Sequence, residues 1–139
     1  MRWPRLTGTG RPAPVRVRWA ALVALLAGLA GAAAFPRIGI WPLAILSVAG
    51  LSWAVDGRRS RTGAWLGLVY GLAFFVPLLH WTGVYVGPAP WLILAVAEAG
   101  YMAGLGALLP LVQRLPAAPL WAGCAWVLQE AVRDRWPFG

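Results

Sequence analysis

The chain has 139 residues, 60% of them hydrophobic and only 12% charged, whereas a soluble domain is about 45–50% apolar and about 25% charged. Its 12 basic residues are all Arg, against 4 acidic ones, and the net charge is +8; because the arginines lie between apolar runs and form no continuous stripe, a nucleic-acid surface is excluded and anionic lipid headgroups are the fitting counter-charge. A single Cys excludes an internal disulfide and a Cys-based metal cluster.

Residues 1–18 are rich in Arg, Pro and Gly, and Pro4, Pro12 and Pro14 oppose a helix, so they read as a disordered basic arm at the cytoplasmic surface. Residues 19–139 read as an all-α, polytopic transmembrane bundle of about five spans with a cytoplasmic N-terminus. The first span, residues 19–34, follows Arg16 and Arg18 and ends in small residues. Alone it also fits a signal peptide cleaved near Ala32 or Ala34, but the further apolar spans favour a retained helix. Pro36, Gly39 and Pro42 then make a turn, with Trp41 at headgroup level. The second span covers residues 43–55 and is lengthened by residues 38–41.

The loop from Asp56 to Arg61 packs Arg58, Arg59 and Arg61 between two apolar runs, which is the signal that holds a loop in the cytoplasm. The third span begins near Thr62, and Gly63, Gly67 and Gly71 share one face, suited to close packing within the same chain. Pro77 bends its end just before His80 and Trp81. Residues 81–91 carry no charge and read as an outer loop or re-entrant lip. The fourth span, residues 92–112, contains Glu98 and a second small pair, Gly100 and Gly104. Arg114, Pro116 and Pro119 mark an inner turn before the fifth span, residues 120–132. With this threading only Arg37, Arg133 and Arg135 fall outside, the asymmetry that sets topology.

An ionisable group within a span suggests function by default. Glu98 has no basic neighbour at helical spacing on its own helix; it is expected to be protonated, or bonded to another helix through His80 or Tyr70. His80 lacks a second ligand at metal spacing, so an interfacial hydrogen-bonding role is expected and no metal site. Cys124 lies in an apolar run and is expected to be a buried, inert thiol. Glu130 and Arg133, three apart, are placed to pair. No nucleophile–base set, phosphate loop or cofactor motif occurs, so neither a catalytic residue nor a cofactor is assigned.

The order of local patterns is informative where single motifs are not. Ala34, Phe35 and Pro36, then Trp41 to Ala44, then Gly67 to Gly71 leading to His80 and Trp81, then Trp126 to Arg133, resemble the N-terminal membrane portion of apolipoprotein N-acyltransferases of actinobacterial type. The resemblance covers nearly everything after the basic arm. It implies a multi-pass protein of the bacterial cytoplasmic membrane that moves an acyl chain from phospholipid to the α-amine of a lipoprotein's diacylglyceryl-cysteine. It also implies a nitrilase-like catalytic domain, absent from these residues, so the chain is expected to be a truncated or split portion, inactive alone. Cys124 does not match that family's nucleophile, and His80 stands where members usually carry Asn. From their shared outer position, Trp81, Tyr85, Glu130, Arg133 and Trp136 are expected to form the lipid and headgroup surface. Two alternatives remain: a non-catalytic membrane anchor for a partner such as polyprenol-phosphate mannose synthase, and a small transporter component with Glu98 as its proton-coupled group.

Overall fold

A computed structural model of the chain describes residues 15–136. Every regular element among them is helical: α1 (Val17–Ala34), α2 (Pro42–Val55), α3 (Ser60–Leu78), α4 (His80–Val86), α5 (Pro88–Val112) and α6 (Ala118–Arg135). Local chemistry sets the boundaries. Pro36 pushes Phe35 out of the helical region, and Phe35 is extended at φ −79°, ψ 163°. Pro42 opens α2 at the first turn, where its missing N–H has no helical partner to lose. Gly87 takes φ 89°, ψ 170°, which side chains rarely permit, and Pro88 starts α5 directly behind it.

Three expectations are corrected. Helix α1 already begins at Val17, two residues inside the expected arm, while residues 1–14 lie outside the described residues. Residues 38–41 do not lengthen the second span: the Ile38 and Gly39 amides both turn back to the Phe35 carbonyl, and α2 keeps only 14 residues, about 21 Å. Of the two readings for the uncharged stretch after His80, the open loop is replaced by α4 followed at once by the first turn of α5. The Trp91 indole donates to the Val76 carbonyl at 3.1 Å, and Gly83 lets α4 lie on that ring, where a Cβ would stand 3.2 Å away.

Helices α3 and α5 make the most extensive interface and form the centre. Helix α1 lies on α3, α2 on α1, α6 on α5, and α4 rests on α5 and the end of α3. In α1 the burial pattern is inverted relative to a protein folded in water, while the centre of the bundle also buries Leu51, Leu66, Met102 and Leu109. In α1 the buried residues are Ala20, Ala24, Ala27, Gly28 and Gly31, whereas Leu22, Leu25, Leu26 and Leu29 are exposed. Small residues inward and large apolar ones outward suit a lipid solvent, in which helices gain from close packing and nothing from hiding leucine. Helices α1, α3 and α5 are long and apolar enough to cross a membrane. Helix α2 is shorter, and the last two turns of α6 carry Glu130, Arg133, Asp134 and Arg135.

At the central seam the backbones touch. A Cβ on Gly63 would stand 2.1 Å from the Gly106 carbonyl oxygen, and one on Gly67 2.1 Å from that of Met102. The face of Gly63, Gly67 and Gly71 therefore packs within the chain. Its counterparts on α5 are Ala99, Met102 and Gly106, while a Cβ on Gly100 or Gly104, the second small pair, would meet nothing within 4 Å. Gly100 follows Ala99 by one residue, about 100° further round the helix, which turns that second pair away from α3.

The arginine-rich end is closed by a clasp. Arg58, read from sequence as part of a polar loop, is only 7% exposed. Its Nε donates to the Ala54 carbonyl at 2.7 Å and its Nη2 to the Val15 carbonyl at 2.7 Å, tying the end of α2 to the start of α1. Gln113 Nε2 donates to the Ser52 carbonyl at 2.9 Å, bringing the end of α5 to α2.

Two substitutions test this architecture by thermal unfolding in lipid nanodiscs. Gly67→Leu forces backbone apart and destabilises by about 3 kcal/mol, whereas Gly123→Ala, whose Cβ meets nothing within 4 Å, has no such effect. Arg58→Ala removes the clasp and costs about 2 kcal/mol; Arg59→Ala, exposed beside it, stays within about 0.5 kcal/mol. Equal losses at positions 58 and 59 contradict the clasp.

Candidate functional site

Helices α5 and α6 are antiparallel neighbours joined by the turn at 113–117. Antiparallel helices bring together residues equally far from their turn. Glu98 and Arg133 stand in that relation, and Arg133 Nη1 donates to Glu98 Oε2 at 3.1 Å. Arg133 Nη2 donates to Glu130 Oε2 at 2.5 Å, one helical turn back on α6. One guanidinium thus bridges two carboxylates, and its Nε is buried without a partner. Its Cζ also lies 5.9 Å from the centre of the Phe75 ring, within cation–π range.

Glu98 is the tenth residue after Pro88, about 15 Å along α5 from its start. The cluster therefore lies well inside the length of α5. It forms the polar wall of a cleft of about 340 Å³ whose other walls are Phe35, Phe74, Phe75, Leu78, Leu79 and Leu94. The aromatic wall is itself braced: Phe35 meets Phe74 edge-on at 5.7 Å, and Phe74 meets Phe75 edge-on at 4.7 Å. Such a cleft offers a hydrocarbon chain an aromatic surface and a polar head a charged one, with a formal excess of one negative charge.

The structure brings Glu98, Glu130 and Arg133 together. Trp136 closes α6, and its carbonyl accepts a hydrogen bond from Tyr101 on α5. Trp81 and Tyr85 lie apart from the cluster on α4, 59% and 81% exposed. The partners expected for Glu98 are engaged elsewhere: the His80 ring stands edge-on to Trp91 at 5.1 Å, and Tyr70 shares a buried 2.7 Å hydrogen bond with Ser47. Cys124 is exposed rather than buried, because α6 turns Ala125 and Gln129 toward α5 and leaves Cys124 on its free side. Among the described residues no three His, Cys, Asp or Glu side chains converge. Sequence reading missed Phe35, Phe74 and Phe75 as cleft walls and Arg133 as the partner of Glu98; equal distance from the 113–117 turn was the available signal.

Fold and site define an all-α bundle of bilayer type, with glycines at its helix seams and an ion-paired aromatic cleft between α3, α5 and α6. Within that class the chain belongs to the apolipoprotein N-acyltransferase N-terminal domain family, which it matches over residues 27–139. It is 46% identical over 99 residues to an apolipoprotein N-acyltransferase of Mycolicibacterium smegmatis, covering 68% of this chain and 16% of that protein. It is 34% identical over 134 residues to one of Ralstonia nicotianae, covering 85% of this chain and 26% of that protein. A third, from Geobacter metallireducens, is 37% identical over 75 residues, or 52% of this chain and 14% of that protein. The chain thus spans about a quarter or less of the length of these relatives.

The bridge predicts an order of stabilities. Arg133→Leu leaves two facing carboxylates without a counter-ion and costs about 2 kcal/mol, below the range for fully buried pairs because Arg133 is partly exposed. Glu98→Gln keeps an acceptor for Arg133 and leaves one positive and one negative charge, costing under about 1 kcal/mol. Unfolding in nanodiscs checks this order, and its reversal means the guanidinium is not what joins α5 to α6.

Proposed function

We propose that this chain is the membrane portion of an apolipoprotein N-acyltransferase that receives its lipid substrates. In this reading the arginine-rich end, with Arg58, Arg59, Arg61 and Arg114, faces the cytoplasm, as the positive-inside rule favours, and the chain resides in the bacterial cytoplasmic membrane as a multi-pass protein. The cleft then opens toward the outer leaflet. An acyl chain enters sideways from the bilayer and lies on Phe35, Phe74 and Phe75, while the polar head of the substrate meets Glu98, Glu130 and Arg133. Trp81, Tyr85 and Trp136 sit at headgroup level, where indole and phenol rings partition.

The reaction served is transfer of an acyl chain from a phospholipid to the α-amine of a lipoprotein's diacylglyceryl-cysteine, with the nucleophile supplied by a nitrilase-like domain. Holding two amphiphiles side by side removes much of the entropy of bringing them together. The single observation that carries this reading is the joining of an ion-paired cluster to an aromatic, chain-sized cleft in a member of this family. The anchor reading gives that cleft no task, and the proton-coupled reading meets a Glu98 already bridged to Arg133.

The test uses alanine variants in a complete enzyme, compared at equal amounts in the membrane. Changes at Glu130, Arg133, Trp81, Tyr85 and Trp136 lower acyl transfer about tenfold or more, and Arg59→Ala leaves it near normal. Arg58 is unsuitable as the control, since its loss opens the clasp. Equal losses at Arg59 and Arg133 place substrate handling elsewhere.

A further inference from the structure

The aromatic cleft and a groove of about 380 Å³ between α5 and α6 share no lining residue. The groove extends from Ala97 to Leu108, about 16 Å along α5. Its walls are almost wholly apolar, and Gly100 and Gly104, on which a Cβ would meet nothing within 4 Å, leave it open against Leu128 and Val132. One wall residue breaks that character. Gln129 is 9% exposed, and among the described residues neither its Oε1 nor its Nε2 has a hydrogen-bond partner. A glycine face alone names no ligand; a buried carboxamide with nothing to bond does.

The occupant must fill a long apolar groove and bring an acceptor to Gln129 Nε2, since buried N–H groups go unpaired more rarely than carbonyls. A water molecule does not serve. It needs about two to four polar partners, and the Tyr101 hydroxyl in the same wall is already bonded to the Trp136 carbonyl. A hydrocarbon chain ending in a carbonyl meets both demands. From Gln129 the apolar wall continues over Ala125, Leu105 and Leu108 toward the 113–117 turn, and in the other direction α6 reaches Arg133 one turn on. We propose that the α5–α6 groove is a second lipid site, which takes one acyl chain of an ester-linked glycerolipid and holds its ester carbonyl on Gln129 Nε2. The chain runs toward the 113–117 turn. The head leaves toward the end of α6, about 5.4 Å beyond Gln129, level with Glu98 and Arg133. It thus emerges beside the polar wall of the cleft, and lipids in the two hollows flank the Glu98–Arg133 bridge. The site needs only an ester lipid in the surrounding bilayer, so it stands independently of the acyl-transfer reading.

The test cross-links lipid to the full chain in vesicles of ether-linked phosphatidylglycerol. Two photoreactive phosphatidylglycerols, alike except that one has ester and the other ether linkages, carry a diazirine on one chain, and labelled peptides are read by mass spectrometry. Within residues 97–108 and 125–132 the ester probe labels about fivefold more than the ether probe, the preference that one hydrogen bond gives. Gln129→Leu removes that preference and leaves ether labelling unchanged, which shows the groove still formed, whereas Gly104→Leu fills the groove and lowers both. Gly123→Leu, where a Cβ meets nothing within 4 Å and which lies outside the groove, alters neither. Equal labelling by the two probes means ordinary boundary lipid and overturns the proposal. An ester preference that survives Gln129→Leu also overturns it, as does groove labelling undiminished by Gly104→Leu.

Discussion

The contact of α3 and α5 backbones is the constraint from which the other positions follow. In a lipid solvent burying leucine gains nothing, so helices cohere by approaching closely enough for dispersion forces to act over their whole length. Gly63, Gly67 and Gly106 permit that approach. The same device repeats outward from the seam. Gly28 of α1 lies where a Cβ would be 2.3 Å from the Tyr70 carbonyl, and Gly50 of α2 where one would be 2.8 Å from the Ala27 Cβ. Layer by layer, α1 is set against α3 and α2 against α1 by absent side chains.

Helix α6 is held differently. It buries only Ala125 and Gln129, and its ties to α5 are polar: Arg133 to Glu98, and Tyr101 to the Trp136 carbonyl. Tyr70 adds an edge-on contact to Trp126 at 6.2 Å while its hydroxyl bonds Ser47. A helix joined by a few charged and aromatic contacts leaves hollows on both sides of the joint. One is the aromatic cleft with its ionic wall, and the other is a groove lined by Gly100, Gly104, Leu128 and Val132. The site and the open groove thus share one cause, the sparse packing of α6 on a tightly packed centre.

Much of this was legible before any tertiary contact was known. Pro36, Gly39 and Pro42 mark a helix break, the glycines at 63, 67 and 71 mark a packing face, and Glu130 with Arg133 mark an i,i+3 pair, because each effect acts within one or two turns. The order of the Phe35–Pro36, Trp41–Pro42, Gly67–Gly71 and Trp126–Arg133 patterns was enough to indicate the family. The short helix α4 escaped notice because Trp, Thr, Val and Tyr have mediocre helix propensity, and its place depends on the Trp91 ring. Arg58 looked like its neighbours Arg59 and Arg61, since nothing local distinguishes a clasp from a solvated charge.

What the amino-acid order determined alone is the all-α class, the breaks at Pro36 and Pro42, and which residue types are available for a lipid-facing shell. Only the tertiary arrangement decided that Ala99 and Gly106, rather than Gly100 and Gly104, meet α3, that Glu98 answers to Arg133, and that Cys124 faces outward. Each of these depends on the rotation of one helix about its axis relative to another. A helix this apolar on every side shows no single face to rotate inward, so the choice was left to where backbones could touch.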